Sequence, residues 1–335
     1  MLVNYKPAFL FAKVWLMLTN KKISVIVACY NDAGSVDDMY RRVTAVMAQI
    51  TPNYEIIYVN DSSPDNAIEV LREKATRDSR FVVVDHARNF GADISYTSGL
   101  AVCTGDAAIL LDGDIQDPPE LFPEFVKKWL EGYEVVYGVR KKRKEGLLKR
   151  IGYKAYYRIL KKMSYINIPL DSGNYGLMDR KVIDVLNSLP ETDRFLRGLR
   201  AWAGFKSVGI PYDRDQRFSG QSASGLAIYI REAKRGIFSF SHFPIELITM
   251  LAIVMTCLTL MAIAAYIVLA IFYSAPKGFL TLLIIPMILA SIQFLILAVI
   301  AEYVGRIFIE AKQRPKYVIR EIINDPSKHR DKLGE

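Results

Sequence analysis

From Ile23 the chain alternates short β-branched apolar runs with stretches whose apolar residues recur at helical spacing, the pattern of a mostly parallel α/β sheet. Five runs read as strands: Ile23-Ser-Val-Ile-Val-Ala-Cys-Tyr30, Glu55-Ile-Ile-Tyr-Val59, Phe81-Val-Val-Val84, Ala107-Ala-Ile-Leu-Leu111 and Glu134-Val-Val-Tyr-Gly-Val139. The pattern changes after residue 240. Residues 247–273 and 278–301 carry no charged side chain, and each exceeds the ~20 residues that a helix needs to cross ~30 Å of hydrocarbon. They predict a two-helix transmembrane hairpin, with a kink at Pro286. The connection holds a single charge, Lys277, whereas the outer flanks are rich in Lys and Arg, which places both termini on the cytoplasmic side of an inner membrane. Just before the first span, Leu226, Ile230, Ala233 and Ile237 recur at helical spacing opposite Arg231, Lys234 and Arg235, predicting a helix that lies in the membrane interface. The expected organisation is a leader or appended extension over 1–20, a catalytic domain over 21–222, an interfacial segment over 223–242, spans over 243–273 and 278–303, and a basic tail over 304–335.

Composition narrows this picture. A 335-residue chain with 51% hydrophobic residues and a net charge of +9 is neither disordered nor an ordinary soluble protein. Cys29, Cys103 and Cys257 are far apart and odd in number, so they suggest neither a disulfide framework nor a metal cluster. His86, His242 and His329 show no ligand spacing. No Gly-x-Gly-x-x-Gly or Gly-x-x-x-x-Gly-Lys loop follows any strand, which disfavours a dinucleotide oxidoreductase and a P-loop ATPase.

The strand ends carry the chemistry. In an open α/β sheet the ligand crevice lies beyond the carboxyl ends of the strands, where this chain places Asp32, Asp61, Asp112 and Asp114. A single Asp there is ordinarily a turn or helix-cap residue, a reading that suffices for Asp65 and is open for Asp32. Asp112 and Asp114, two apart at the end of one strand, are different. Side-by-side carboxylates repel unless a cation or sugar hydroxyls sit between them, and hard oxygen ligands favour Mg²⁺ or Mn²⁺.

The runs Ser24-Val-Ile-Val-Ala-Cys-Tyr-Asn-Asp32, Val59-Asn-Asp-Ser-Ser-Pro-Asp65, Ala87-Arg-Asn-Phe-Gly91, Leu111-Asp-Gly-Asp-Ile-Gln-Asp-Pro-Pro-Glu120 and Asp171-Ser-Gly-Asn-Tyr-Gly-Leu-Met-Asp-Arg180 resemble those of the inverting, family 2 glycosyltransferases of GT-A fold that act on polyisoprenyl phosphates. The two spans and the basic tail resemble the bactoprenol glucosyltransferase branch, and the likeness covers about residues 21 to 320. It implies a GT-A catalytic domain in which Ala28, Tyr30, Asp32 and Asp61 line the base and ribose pocket. It further implies that Asp112 reaches ribose or metal and that Asp114 with Gln116 holds the Mg²⁺ or Mn²⁺ cofactor.

The implied reaction moves a hexose, with UDP-glucose favoured as donor, to undecaprenyl phosphate with inversion. Donors left open are GDP-mannose, UDP-N-acetylglucosamine and an aminoarabinose nucleotide. An acceptor phosphate is ionised near pH 7, its second pKa being about 6, so positive charge matters more than a strong base. Arg140 and Arg150 suit this role, since a guanidinium binds phosphate through a planar fork. The basic run Arg140-Lys-Lys-Arg-Lys144 would also hold the crevice against anionic headgroups. Asp171 is the candidate base or orienter of the attacking phosphate. Asn174 departs from the family, many members of which have an acid there. Arg217 and Ser222 fall in a segment resembling the family's late lid loop over the donor phosphates. The expected partners are the nucleotide sugar, the lipid phosphate, the bilayer and further copies of the chain, with no nucleic acid. The competing reading is a nucleotide-sugar-binding membrane scaffold without turnover.

Overall fold

The computed structural model of the protein describes residues 17–140, 172–213, 241, 243–272 and 278–326. Strands β1 (Ile23–Cys29), β2 (Tyr54–Asn60), β3 (Phe81–His86) and β4 (Ala107–Asp112) pair in parallel in the order β4-β1-β2-β3. Helices cover both faces of such a sheet, so its strands read as continuous apolar runs. Helices α1 (Val36–Ile50), α2 (Ala67–Arg77) and α3 (Ala92–Val102) connect these strands. They are followed by α4 (Phe122–Leu130), β5 (Val135–Arg140), β6 (Ser172–Asp179), α5 (Arg180–Ser188), α6 (Leu196–Trp202) and β7 (Ser207–Tyr212). Strand β6 inserts between β4 and β5, antiparallel to both, and β7 runs parallel to β5. This mostly parallel mixed sheet is the GT-A arrangement.

Successive residues of a strand point to opposite faces, and the core divides accordingly. Val25, Ile56, Val83 and Ile109 pack with Met39, Val43 and Met47 of α1, Leu71 of α2 and Phe122 and Phe125 of α4. Ile26, Ile57, Val84 and Leu110 pack on the other face with Tyr96 and Leu100 of α3, Val182 and Leu186 of α5 and Leu199 of α6. Fully burying each such aliphatic side chain contributes about 1.5–3 kcal/mol. Helix α3 lies so close to the sheet that a Cβ on Gly99 would stand 2.4 Å from Cγ2 of Ile26. Glu55, 3% exposed near the amino ends of the strands, is satisfied by the Ser24 hydroxyl at 2.6 Å, the Thr104 amide at 2.7 Å and the Lys22 ammonium at 2.7 Å.

The register sets the functional edge. Cys29 lies opposite Asn60, Asn60 opposite Asp85 and Ala28 opposite Asp112, so the four parallel strands finish together.

Two long apolar helices follow, α7 (Phe243–Phe272) and α8 (Phe279–Ala311), the second running through Pro286. Their windows Phe243–Ala262 and Ile285–Ala311 are long and apolar enough to cross a membrane, and neither is buried against the rest of the protein. The end of α8 docks on the catalytic domain. The Glu310 carboxylate accepts from the Thr192 amide at 3.0 Å and hydroxyl at 3.0 Å, while Arg306 reaches Asp193 at 3.5 Å.

The sequence reading of 304–335 as a basic tail is corrected over its described part. Residues 304–311 complete α8, and β8 (Ile319–Ile323) joins the sheet antiparallel to β3, giving the order β7-β5-β6-β4-β1-β2-β3-β8. The β-branched content of residues 318–323 and the open edge of β3 decide the structure there. Strand β3 also runs two residues further than its apolar run, to His86, which places Asp85 and His86 inside the sheet rather than in a turn.

Candidate active site

The loops at the carboxyl edge are tied together by their own polar groups. Asn31 and Ser62 adopt left-handed backbone, with φ of 59° and 54°, and the Asn31 amide donates to the Ser63 hydroxyl at 2.6 Å. Asp65 accepts from the Ala33 amide at 2.9 Å and the Ala67 amide at 3.2 Å, the turn-forming role of its residue type. The Ser35 hydroxyl bridges the carbonyls of Asp32 at 2.7 Å and Gly113 at 2.6 Å. Gly113 itself donates to Ala28 O at 2.9 Å, so closely that a Cβ there would meet that oxygen at 2.8 Å and Oδ2 of Asp32 at 3.5 Å. Asp32, 7% exposed, thus lies beside the Asp112-Gly113-Asp114 turn, and Tyr30, 46% exposed, stands open at the same edge.

The turn is held from below and bent from within. The Tyr96 hydroxyl, on α3, donates to Asp112; burial and then the Asp112 carboxylate push that phenol well above its ordinary pKa, so it remains a donor. Asp114 accepts from the Gln116 amide at 3.2 Å. Between them Ile115 has φ 60°, a conformation that a β-branched residue adopts at a cost, and such strain concentrates at functional sites. Among the described residues no three His, Cys, Asp or Glu side chains form a metal-holding group. Mg²⁺ or Mn²⁺ fits this turn, because such an ion is commonly held by one or two carboxylates, with substrate phosphates and water completing its oxygen shell.

Three residues after Asp114 lies a buried acid to which sequence reasoning assigned no role of its own. Asp117, 0% exposed, accepts from the Tyr212 hydroxyl at the end of β7, and Nε of Arg140 at the end of β5 donates to the same phenol oxygen at 3.4 Å. Burial alone would lower the Arg140 pKa, but Asp117, Tyr212 and Asp112 outweigh it and hold the guanidinium above its ordinary value. Arg140 therefore sits within electrostatic reach of the acidic turn. Burial and the Asp117 charge also push the Tyr212 phenol up, keeping it protonated.

Asp61, expected to line the base pocket, is held at this edge by the protein's own groups. It is 3% exposed, and its oxygens meet Nδ1 of His86 at 2.8 Å, the Phe90 amide at 2.9 Å and the Gly91 amide at 2.7 Å. The carboxylate organises the loop between β3 and α3, because backbone donors left without an acceptor are costly. Asn174 donates to Asp93 on α3 at 2.8 Å, while Arg200, buried and pushed by that burial down to about 10, remains charged at pH 7 and supports the Gly173 carbonyl at 3.2 Å. The structure thus gathers Ala28, Tyr30, Asp32, Asp112, Asp114, Gln116 and Arg140 at one edge of the sheet. Arg150, Asp171, Arg217, Ser222 and the interfacial segment except Ser241 lie outside the described residues.

Comparison with known proteins accords with this geometry. The profile of Glycosyl transferase family 2 matches residues 24–186. The chain is 41% identical over 300 residues to the uncharacterized glycosyltransferase YkcC of Bacillus subtilis (strain 168), covering 89% of this chain and 93% of that protein. It is 32% identical over 305 residues to the prophage bactoprenol glucosyl transferase homolog of Escherichia coli (strain K12), covering 90% and 99%. With the bactoprenol glucosyl transferase of Shigella phage SfV it shares 32% identity over 302 residues, covering 89% and 98%. The chain belongs to glycosyl transferase family 2, and its likeness to the bactoprenol glucosyl transferases extends through the apolar helices as well as the catalytic domain.

Proposed function

We propose that this glycosyltransferase moves a hexose, glucose from UDP-glucose, onto undecaprenyl phosphate with inversion, at the cytoplasmic face of the inner membrane. The observation that carries the reading is the placement of Arg140, half-buried at the end of β5, within electrostatic reach of Asp112 in the Asp112-Gly113-Asp114 turn. An acidic turn suits a cation-bound diphosphate, and a guanidinium fork suits a second phosphate. Helices α7 and α8 supply the membrane seat that a lipid acceptor needs.

In this reading Ala28, Tyr30 and Asp32 receive the base and ribose, and Asp112 orients the ribose side of the donor. Asp114, with Gln116, would hold Mg²⁺ or Mn²⁺, which when bound neutralises charge on the departing diphosphate. Arg140 draws the acceptor phosphate to the face of the anomeric carbon opposite the diphosphate, and Arg150 adds to that hold. A phosphate oxygen forms the bond to the anomeric carbon as the carbon's bond to the diphosphate oxygen breaks, which releases the nucleoside diphosphate and inverts the centre. Asp171 orients the attacking oxygen. The ionised acceptor needs little help from a base. Arg217 and Ser222 belong to a loop that closes over the donor and limits its hydrolysis. Asp61 contributes through the loop it organises. Family likeness further supports assembly of several copies.

The test uses the full chain in membranes, with radiolabelled UDP-glucose, GDP-mannose, UDP-N-acetylglucosamine and UDP-aminoarabinose, undecaprenyl phosphate and either metal. Label from UDP-glucose enters the lipid fraction as a β-glycosyl phosphate. Transfer from another donor instead reassigns the sugar, and transfer from none favours the scaffold reading.

A further inference from the structure

The loop between β3 and α3 is gripped from two directions. From inside the domain, Asp61 accepts the Phe90 and Gly91 amides and meets Nδ1 of His86, whose Nε2 lies 2.8 Å from the Ser98 hydroxyl on α3. His86 is 0% exposed. Each ring nitrogen of His86 thus has a polar partner inside the domain, which fixes the plane of the ring. From outside comes the segment that follows α8. The Tyr317 ring stacks on His86 with centroids 5.7 Å apart and planes at 16°. The Val318 carbonyl accepts the Ala87 amide at 2.9 Å, and Arg320 reaches Asp85 at 2.9 Å and the Ala87 carbonyl at 3.3 Å.

This segment and the end of α8 are also tied to the loop after α5: Lys316 donates to the Leu189 carbonyl, and Glu310 holds the Thr192 amide. Residues from beyond the second apolar helix therefore contact the one loop whose amides Asp61 fixes. That loop leads into α3, where Gly91 O accepts the Ser95 amide at 3.0 Å, Asp93 meets Asn174, and Tyr96 holds Asp112.

We infer that Tyr317 is a positioning residue for the nucleotide-sugar site, acting through its stack on His86 and the His86–Asp61 bond to set the loop at residues 87–91 and the start of α3. The inference rests on the donor assignment made above. It makes the segment after the membrane helix part of the donor site's architecture, so the geometry of the crevice depends on how α8 meets the catalytic domain. The phenol oxygen of Tyr317 plays no part in it; the ring face does.

The test measures binding of UDP with Mn²⁺ by calorimetry, and steady-state transfer, on the full chain purified in detergent. Tyr317→Ala and Tyr317→Leu, which remove the ring, weaken UDP binding and raise the donor KM by about three- to tenfold, the range an aromatic stack supplies. The acceptor KM stays at the wild-type value. Tyr317→Phe restores wild-type binding, and hydrogen exchange at 87–91 rises in the Ala and Leu variants alone. Wild-type affinity in a folded Tyr317→Ala or Tyr317→Leu protein overturns the inference while leaving the donor assignment standing, as does a loss in Tyr317→Phe equal to that in Tyr317→Ala. Failure of the wild-type protein to bind any nucleoside diphosphate overturns the donor assignment and this inference together.

Discussion

Replacing Asp61 separates two roles that a strand-end acid can have. If its carboxylate touched the nucleotide, Asp61→Ala would weaken donor binding and leave the fold intact. The structure instead gives it three partners within the protein, at 2.7–2.9 Å, with 3% of the residue exposed. Hydrogen bonds to a charged group contribute about 1.5–3 kcal/mol each, so simple addition sets a ceiling near 9 kcal/mol. Water can reach the half-exposed Phe90 and Gly91 and recover part of that, which leaves a cost of about 3–5 kcal/mol. At about 2–4 °C per kcal/mol for a domain of this size, the thermal midpoint falls by roughly 10 °C. Asp61→Asn keeps one oxygen for His86 and Phe90 but turns an amide toward the Gly91 donor, costing about 1–3 kcal/mol. Thermal unfolding of the full chain in detergent, followed by intrinsic fluorescence, ranks the three proteins. An unchanged midpoint in Asp61→Ala together with a raised donor KM would refute the reasoning and return Asp61 to the nucleotide pocket.

Other substitutions probe the remaining parts of the site. Gly113→Ala forces a Cβ to within 2.8 Å of Ala28 O; it destabilises by about 1–3 kcal/mol and depresses transfer, and a wild-type midpoint would deny the close approach. Arg140→Lys keeps the charge but loses the fork, raising the acceptor KM about tenfold while the donor KM stays put; equal acceptor KM values would remove Arg140 from the acceptor site. Burial would raise the pKa of Glu55, but bonds from Lys22, Ser24 and Thr104 outweigh it and hold the carboxyl below its ordinary value. Its stabilisation is therefore full above about pH 4.3 and is lost as the pH falls through the lowered value. Denaturation between about pH 3 and pH 7 should show a steeper loss on the acid side for the wild type than for Glu55→Gln, and parallel profiles would contradict the pairing.

The parallel centre of the sheet was legible because strands buried on both faces must be almost continuously apolar, as Val25–Cys29 and Ala107–Leu111 are. Strand β6 carries Gly173, Asn174, Gly176 and Asp179, and becomes a strand through pairing on both sides with β4 and β5. Strand β7 includes Pro211, tolerable at the sheet's edge. The acids of the Asp112-Gly113-Asp114 turn announced themselves by spacing and strand context. Asp117 did not, because its partner Tyr212 is 95 residues away and a buried acid in a loop has no local signature. The same holds for His86: its surroundings are assembled from Asp61, Ser98 and Tyr317, of which Tyr317 arrives after both apolar helices. Pattern reveals which residues line an edge; it is silent about which of them the fold consumes internally.

Asp114→Asn, measured in the assay of sugar transfer from UDP-glucose to undecaprenyl phosphate, tests the central claim most directly. The substitution preserves size and the backbone contact to Gln116 while removing a charge, so the variant should fold and enter membranes like the wild type. Its transfer rate should fall by about 100-fold or more, as when an electrostatic group at a reacting centre is lost, and chelation should reduce the wild type similarly. Transfer at the wild-type rate by Asp114→Asn, undiminished by chelator, would contradict the account.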